Sequence, residues 1–307
     1  MNCRRTASHS RDVDGSALVI KNRAYLALEN SLFTVFSPDP RKQRKRDGIL
    51  QPRIYREIPL FERKHVIARQ GVIECEASPT LLDGVIYTPS GSGSVYGYKL
   101  WRRRVTWEYA IGADLSGTAP ATSDGCLLVP VEKQFIPGPG GVFKLDPRKS
   151  PEKAVVWFFP TGGSRFYEWR GGIIGSVAVN DRYRKSPSDR HCAVFSGTDG
   201  FLYLIDHSQL EPDKSTIGPD DRRSWPMPKL LDKAHLGKGS IATPIIVGDR
   251  VVAPNDGGVS LYAIDSDYRL QLLDRLSGRQ VDATPVADAG RLYVAALDGY
   301  LYCLGEK

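Results

Sequence analysis

One three-strand pattern recurs along nearly the whole chain. "SPTLLDGVIYTPSGSGSVYGYKL" (78–100) is followed by "APATSDGCLLVPVEKQFIPGPGGVFKLDP" (119–147) and "SVAVND…HCAVFSGTDGFLYLIDHSQ" (176–209). Then come "TPIIVGDRVVAPNDGGVSLYAIDSD" (243–267) and "TPVADAGRLYVAALDGYLYCLG" (284–305), while a diverged copy, "SALVIKNRAYLALENSLFTVFSPDP" (16–40), opens the series. Each copy starts with small residues and a short apolar run, then a turn such as Asp83-Gly84, Asp124-Gly125 or Gly248-Asp249. A β-branched or aromatic strand follows, then a second turn, then an aromatic-aliphatic strand ending in Asp or its substitute. A fourth strand is readable between copies at "VTWEYAI" (105–111), "AVVWFFP" (154–160) and "LQLLDRL" (270–276).

Dense turn signals between strand-length segments with no helical period argue for an all-β chain. The repeat length sharpens that. Pro79 and Pro120 are 41 positions apart, as are Pro244 and Pro285, a period that fits four-stranded antiparallel propeller blades. Longer intervals mark insertions at 161–175 and 207–239. Six triplets predict a six-bladed β-propeller over residues 1–307 as a single domain. The alternatives are a seven-bladed ring with a degenerate blade in 41–74 or 207–239, or a ring lacking upstream blades. The last triplet has no outer strand of its own, so closure would fall to residues 3–12, whose sequence "CRRTASHSRD" is a poor strand former.

The pattern P-x-x-x-D-G-x-(apolar)-Y … D-G-x-L-Y-x-(L/I)-D … W resembles the PQQ-like (quinoprotein-type) β-propeller repeat, most closely in "TDGFLYLID", "NDGGVSLYAID" and "LDGYLYCLG". The resemblance implies the fold. It leaves the function open, because enzymes and assembly scaffolds share it. Quinoprotein dehydrogenases hold PQQ beneath two vicinal cysteines and over a Ca²⁺ ion. Here Cys3, Cys75, Cys126, Cys192 and Cys303 are widely spaced with no adjacent pair, so neither PQQ nor Ca²⁺ is predicted and buried thiols are expected. Asp-Gly is explained by hairpin turns that need positive φ, without the alternating oxygen ligands of a calcium loop.

No other chemistry is nominated. The five histidines (His9, His65, His191, His207, His235) show no metal-ligand spacing, and there is no G-x-S-x-G elbow. The net charge of +7 is spread over separate basic runs, at 41–46, 101–104, 182–190 and 221–223, which reads as solvated loops, with an anionic-surface contact as the alternative, and not as a specific nucleic-acid face. No apolar run is long enough to cross a membrane, and no export signal is visible, although relatives of this class are usually exported.

The loops leading into inner strands of a propeller line one mouth of its channel. Asp14, Glu76 and Asp282 stand two positions before Ser16, Ser78 and Thr284 in copies that a closed ring would make neighbours. They form a candidate cation site or an acidic patch facing basic groups. The insertion "TGGSRFYEWRGGIIGS" brings Phe166, Tyr167, Trp169 and Arg170, residue types enriched at binding hot spots, to the same mouth. "EKQFIPGPGG" adds Phe135. The expected function is therefore a monomeric, non-enzymatic scaffold that engages a protein, peptide or glycan at this mouth. The alternative is a quinoprotein-type or other channel-sited enzyme using a cation held by the acidic residues.

Overall fold

The repeated turns set the architecture, because each tight turn, of two residues at Asp83-Gly84 and of three at Thr198-Asp199-Gly200, returns the chain antiparallel beside the strand it has just built. The computed structural model describes residues 13–46, 48–71, 73–186 and 189–305. Within them the chain forms meander sheets of three or four strands, in two compact units, Met1–Ala119 and Pro120–Lys307.

In the first unit, β1 (Leu18–Ile20), β2 (Arg23–Ala27) and β3 (Leu32–Phe36) pair in order. A two-stranded hairpin, β4 (Arg44–Arg46) and β5 (Ile49–Gln51), then interrupts the sheet before β6 (Ile54–Pro59) completes it on the outer edge. A short helix, α1 (Arg63–Ala68), leads to the second sheet: β7 (Thr80–Leu82), β8 (Val85–Ser90), β9 (Ser94–Lys99) and β10 (Arg104–Ala110). Tyr25, Phe33, Val35, Ile86, Tyr96 and Tyr98 pack between these two sheets.

The second unit continues with β11 (Leu127–Val131), β12 (Gly141–Leu145) and β13 (Val155–Pro160), with a single bridge from Ala121 to Leu127 in the place of an inner strand. The next sheet is β14 (Ala178–Val179), β15 (Cys192–Ser196), β16 (Phe201–Ile217) and β17 (Ser224–His235). Then come β18 (Ile245–Val247), β19 (Arg250–Asn255), β20 (Gly258–Ile264) and β21 (Leu270–Ser277), and last β22 (Val286–Asp288), β23 (Arg291–Ala295) and β24 (Leu301–Leu304). Trp157, Phe159, Phe195 and Tyr203 fill the space between the sheets of β11–β13 and β14–β17. Tyr262, Val251 and Leu204 fill the next interval. Each such fully buried side chain stabilises the fold by about 1.5–3 kcal/mol.

The fold is thus an all-β propeller. The fourth strands expected at 105–111, 154–160 and 270–276 are β10, β13 and β21 within a residue or two. Neither 41–74 nor 207–239 forms a separate sheet of the blade type among the described residues. The first supplies the β4–β5 hairpin, β6 and α1, and the second is the extended arm of β16 and β17. The arm's tip receives a hydrogen bond from Gly138 N to Pro219 O, and its Trp225 packs edge-on against Phe143. Cys75, Cys126 and Cys192 are buried as expected, but Cys303 is exposed, because it lies on the outer edge strand of the last sheet. No helix among the described residues is long and apolar enough to cross a membrane. The pairing of residues 3–12 with the last sheet concerns residues outside the described ones.

Candidate functional site

The loops joining second to third strands, and those joining one sheet to the next, emerge at the same end of each sheet in the second unit. The insertion at 161–176 is tied down along its length there. Gly162 N donates to Asp199 Oδ2 at 2.8 Å, Lys133 N to Gly171 O at 2.9 Å, and Ile173 N to Val131 O at 3.1 Å. Its glycines are required by contact: a Cβ on Gly172 would lie 2.5 Å from the Val131 carbonyl oxygen. In the middle, Phe166 and Trp169 exchange two backbone hydrogen bonds, which closes a two-residue turn with Tyr167 at its first position. Tyr167 takes φ 50°, a left-handed conformation unfavourable for a bulky residue.

The Tyr167 hydroxyl explains how that conformation is held. It donates to Asp256 Oδ1 at 2.9 Å and accepts from Gln280 Nε2 at 3.3 Å. Asp256 also binds Lys238 Nζ at 3.2 Å. Phe166 lies edge-on to Tyr167, 4.6 Å between centroids, and covers Gly239, where any Cβ would meet the ring at 2.5 Å. Tyr167 as a whole remains 58% exposed. Its hydroxyl pKa is raised, first by the bond to Asp256.

Asp256 is available for this role because its turn is one residue shorter than those of its counterparts and has no tyrosine four residues on. In the turns of "TDGFLY" and "LDGYLY", the aspartate accepts from the tyrosine four residues later: Tyr203 to Asp199 and Tyr302 to Asp298, both at 2.6 Å. In "NDGGVS" that position is Ser260. The turn carboxylate of this sheet receives a tyrosine from the 161–176 insertion in place of its own.

Of the sequence-predicted residues, Phe166 and Trp169 are half-buried, Tyr167 and Arg170 exposed. Phe135 is exposed, at φ 62°, on the adjacent loop between β11 and β12. Asp282 belongs to the same unit. Gln280 Nε2 reaches its Oδ2 at 3.4 Å as well as the Tyr167 hydroxyl, and burial, then Asp256, raises its carboxyl pKa. Asp14 and Glu76 lie in the first unit. There they gather with buried Glu29, one oxygen of each within 4.8 Å of the others. Burial is the main cause of the raised Glu76 pKa, and Asp114, Asp14 and Glu74 push it the same way.

A second cluster, absent from the sequence reading, lies at the opposite end of the second unit's sheets. Asp181 Oδ1 is 2.9 Å from His191 Nδ1 and 3.1 Å from His207 Nε2, while its Oδ2 accepts from Ser123 N at 2.6 Å. Lys144, only 2% exposed, pairs with Asp124 Oδ2 at 2.6 Å, donates to the His207 carbonyl at 2.9 Å, and lies 3.4 Å from His207 Nδ1. This ammonium facing Nδ1 favours the tautomer that carries its proton on Nε2, which donates to Asp181. Burial alone would raise the Asp181 carboxyl, yet the bonds from His207, Ser123 and His191 hold it far below the usual carboxylate range. The readable signal was register: the hairpin about Asp199-Gly200 pairs Cys192 with Asp206, so His191 and His207 are cross-strand neighbours.

Sheets, turns and loop geometry together define a β-propeller with a preorganised aromatic loop. No family model and no curated protein matches the sequence. Solved structures do match in fold. BamB from Moraxella catarrhalis aligns with a TM-score of 0.50 at 13% identity, over 96% of this chain and 85% of that one. A chain of the mitotic checkpoint complex aligns with a TM-score of 0.58 at 12% identity, over 93% of this chain and 71% of that one.

Proposed function

We infer that this propeller is a non-enzymatic binding scaffold of the PQQ-like class, taking a protein, peptide or glycan segment on the loop face that carries Tyr167. The observation that carries the reading is the Tyr167 ring, held outward at φ 50° by a hydroxyl fixed between Asp256 and Gln280. An aromatic side chain immobilised before it meets a ligand loses little entropy on binding, which is the property of an anchor. Phe135, Trp169 and Arg170 extend the same face. BamB and the mitotic checkpoint complex support the fold on which such a face is built.

Photocrosslinking tests it. A benzoylphenylalanine at position 135 or 169 is expected to give discrete adducts in cells, and one at Lys149, at the other end of the unit, none. Equal labelling at all three positions, or none at any, would sink the reading.

The gathering of Asp14, Glu29 and Glu76 favours a second reading, a cation-dependent enzyme. A divalent ion there would relieve the like-charge repulsion. The residues do not fit the quinone, since Cys75, Cys126 and Cys192 are separate buried thiols. Stabilisation by several degrees with Ca²⁺ and PQQ, lost in Asp14→Ala, would move the assignment to the enzyme.

A further inference from the structure

The β4–β5 hairpin serves no fold role that the other sheets need filled. It lies in the chain between β3 and β6 as a two-stranded sheet of its own, with all six of its strand residues exposed. Residues 41–56 hold seven Lys and Arg against one acidic residue. Arg41 is bound to Asp39 at 3.0 Å, but Lys42, Arg44 and Lys45 have no ion-pair partner among the described residues. Lys42, Arg44 and Arg53 line a cleft of about 510 Å³ with Gln51, Pro52 and Ile54. Arg23 and Arg53 stand over the Tyr55 ring at 4.6 and 5.5 Å, adding two guanidinium groups beside it.

The apolar residues decide which anion this surface fits. Ile49 is 65% exposed and Leu50 47% exposed, next to a tight turn in which Gly48 takes φ 77°. The register sets each aliphatic opposite a cation, Arg46 facing Ile49 and Lys45 facing Leu50. A polyphosphate or nucleic-acid backbone would reward the cations and leave the aliphatics in water. A bilayer interface rewards both, because the cations meet lipid phosphates while the aliphatics enter the acyl boundary.

We propose that the β4–β5 hairpin is a membrane-surface docking element for bilayers rich in anionic phospholipid. Its tip inserts Ile49 and Leu50, and Lys42, Arg44, Lys45, Arg46 and Arg53 hold headgroup phosphates. The element shares no residue with the aromatic loop, so the two readings stand or fall independently.

The test is flotation of the full chain with vesicles of phosphatidylcholine alone and of phosphatidylcholine mixed with phosphatidylglycerol. Binding is expected to the mixed vesicles only, weakening as salt rises. The triple variant Arg44→Ala/Lys45→Ala/Arg46→Ala is expected to lower the partition coefficient on the order of 100-fold, about fivefold per cation. Ile49→Ser/Leu50→Ser should also lower it on the order of 100-fold, with unchanged thermal melting. Lack of wild-type binding to mixed vesicles at low salt would overturn the proposal. So would oligonucleotide binding stronger than vesicle binding and indifferent to Ile49→Ser/Leu50→Ser, which would assign the hairpin to nucleic acid. Competition by inorganic phosphate that displaces the protein from vesicles entirely would reduce the site to a free-phosphate cradle and overturn the bilayer assignment.

Discussion

The Tyr167 hydroxyl donates to Asp256 Oδ1 at 2.9 Å across 89 positions of sequence, joining an inserted loop to a turn two sheets further along the chain. The bond replaces one that the repeat makes internally at Asp199–Tyr203 and Asp298–Tyr302. It fixes the loop's most exposed ring while using a carboxylate the repeat already provides.

If that bond holds the loop, Tyr167→Phe and Asp256→Asn will loosen residues 165–170 while leaving the sheets intact. Arg165 and Arg170 flank the turn and serve as built-in tryptic sites. Their cleavage rate under native conditions is expected to rise roughly 2- to 10-fold in either variant, with the melting temperature nearly unchanged. Equal cleavage rates in Tyr167→Phe and wild type would show that Phe166 on Gly239 and the backbone bonds hold the loop by themselves.

How much of this was legible in the sequence depends on the range of the contact. The turns at Asp124-Gly125, Asp199-Gly200 and Asp298-Gly299 were readable because each needs one residue at positive φ, and glycine supplies it at 77°, 82° and 87°. The His191–His207 pair lay one step beyond, since it follows only once the turn is known to hold three residues, Thr198-Asp199-Gly200; counting outward from that turn puts 191 opposite 207. Lys144 and Tyr167 were not accessible in this way. Lys144 reaches His207 from a neighbouring sheet, and Tyr167 reaches Asp256 through a loop path set by glycine contacts at 140 and 171–172. Contacts between sheets follow from packing, which strand periodicity does not encode. Cys303 was misread for a related reason: an apolar strand pattern predicts one covered face, and β24 is an edge strand.

The Asp181 cluster makes a sharper energetic prediction. Asp181→Ala leaves the His207 Nε2–H and the Ser123 amide without their acceptor beside a buried ammonium, at a cost of about 3 kcal/mol or more. For a unit of this size that lowers the melting temperature by roughly 6–12 °C. Lys144→Met removes the buried charge and is expected to interact with Asp181→Ala non-additively, by more than about 0.5 kcal/mol in a double-mutant cycle. The sign of the acid dependence follows from the lowered Asp181 pKa. The carboxylate contributes stability above its unfolded value near pH 4, and loses it as pH falls toward the much lower folded value. Asp181→Asn should therefore flatten the acid limb of the stability curve. Additive costs and an unchanged acid limb would mean that the cluster is not a single network.

Asp114 in the first unit carries the opposite dependence. It is half-buried near Glu74, and burial pushes its carboxyl pKa up to about 6, with partial relief from Arg69 and the Leu115 amide. Arg69 is itself buried and is committed to the Gly112 and Ala113 carbonyls, so its relief is incomplete. A folded pKa above the unfolded value near 3.8 means that protonation favours the fold. The contribution is fully present below about pH 4 and lost as pH rises through 6, at up to about 3 kcal/mol by pH 7. Asp114→Asn keeps the shape and the acceptor for Leu115 N without the charge. Its melting temperature is expected to match wild type near pH 4 and exceed it by several degrees at pH 7, measured by calorimetry across that range. An offset that stays constant with pH would show that Arg69 fully compensates the Asp114 charge, and the half-buried carboxylate would then be an ion-pair partner and not a source of strain.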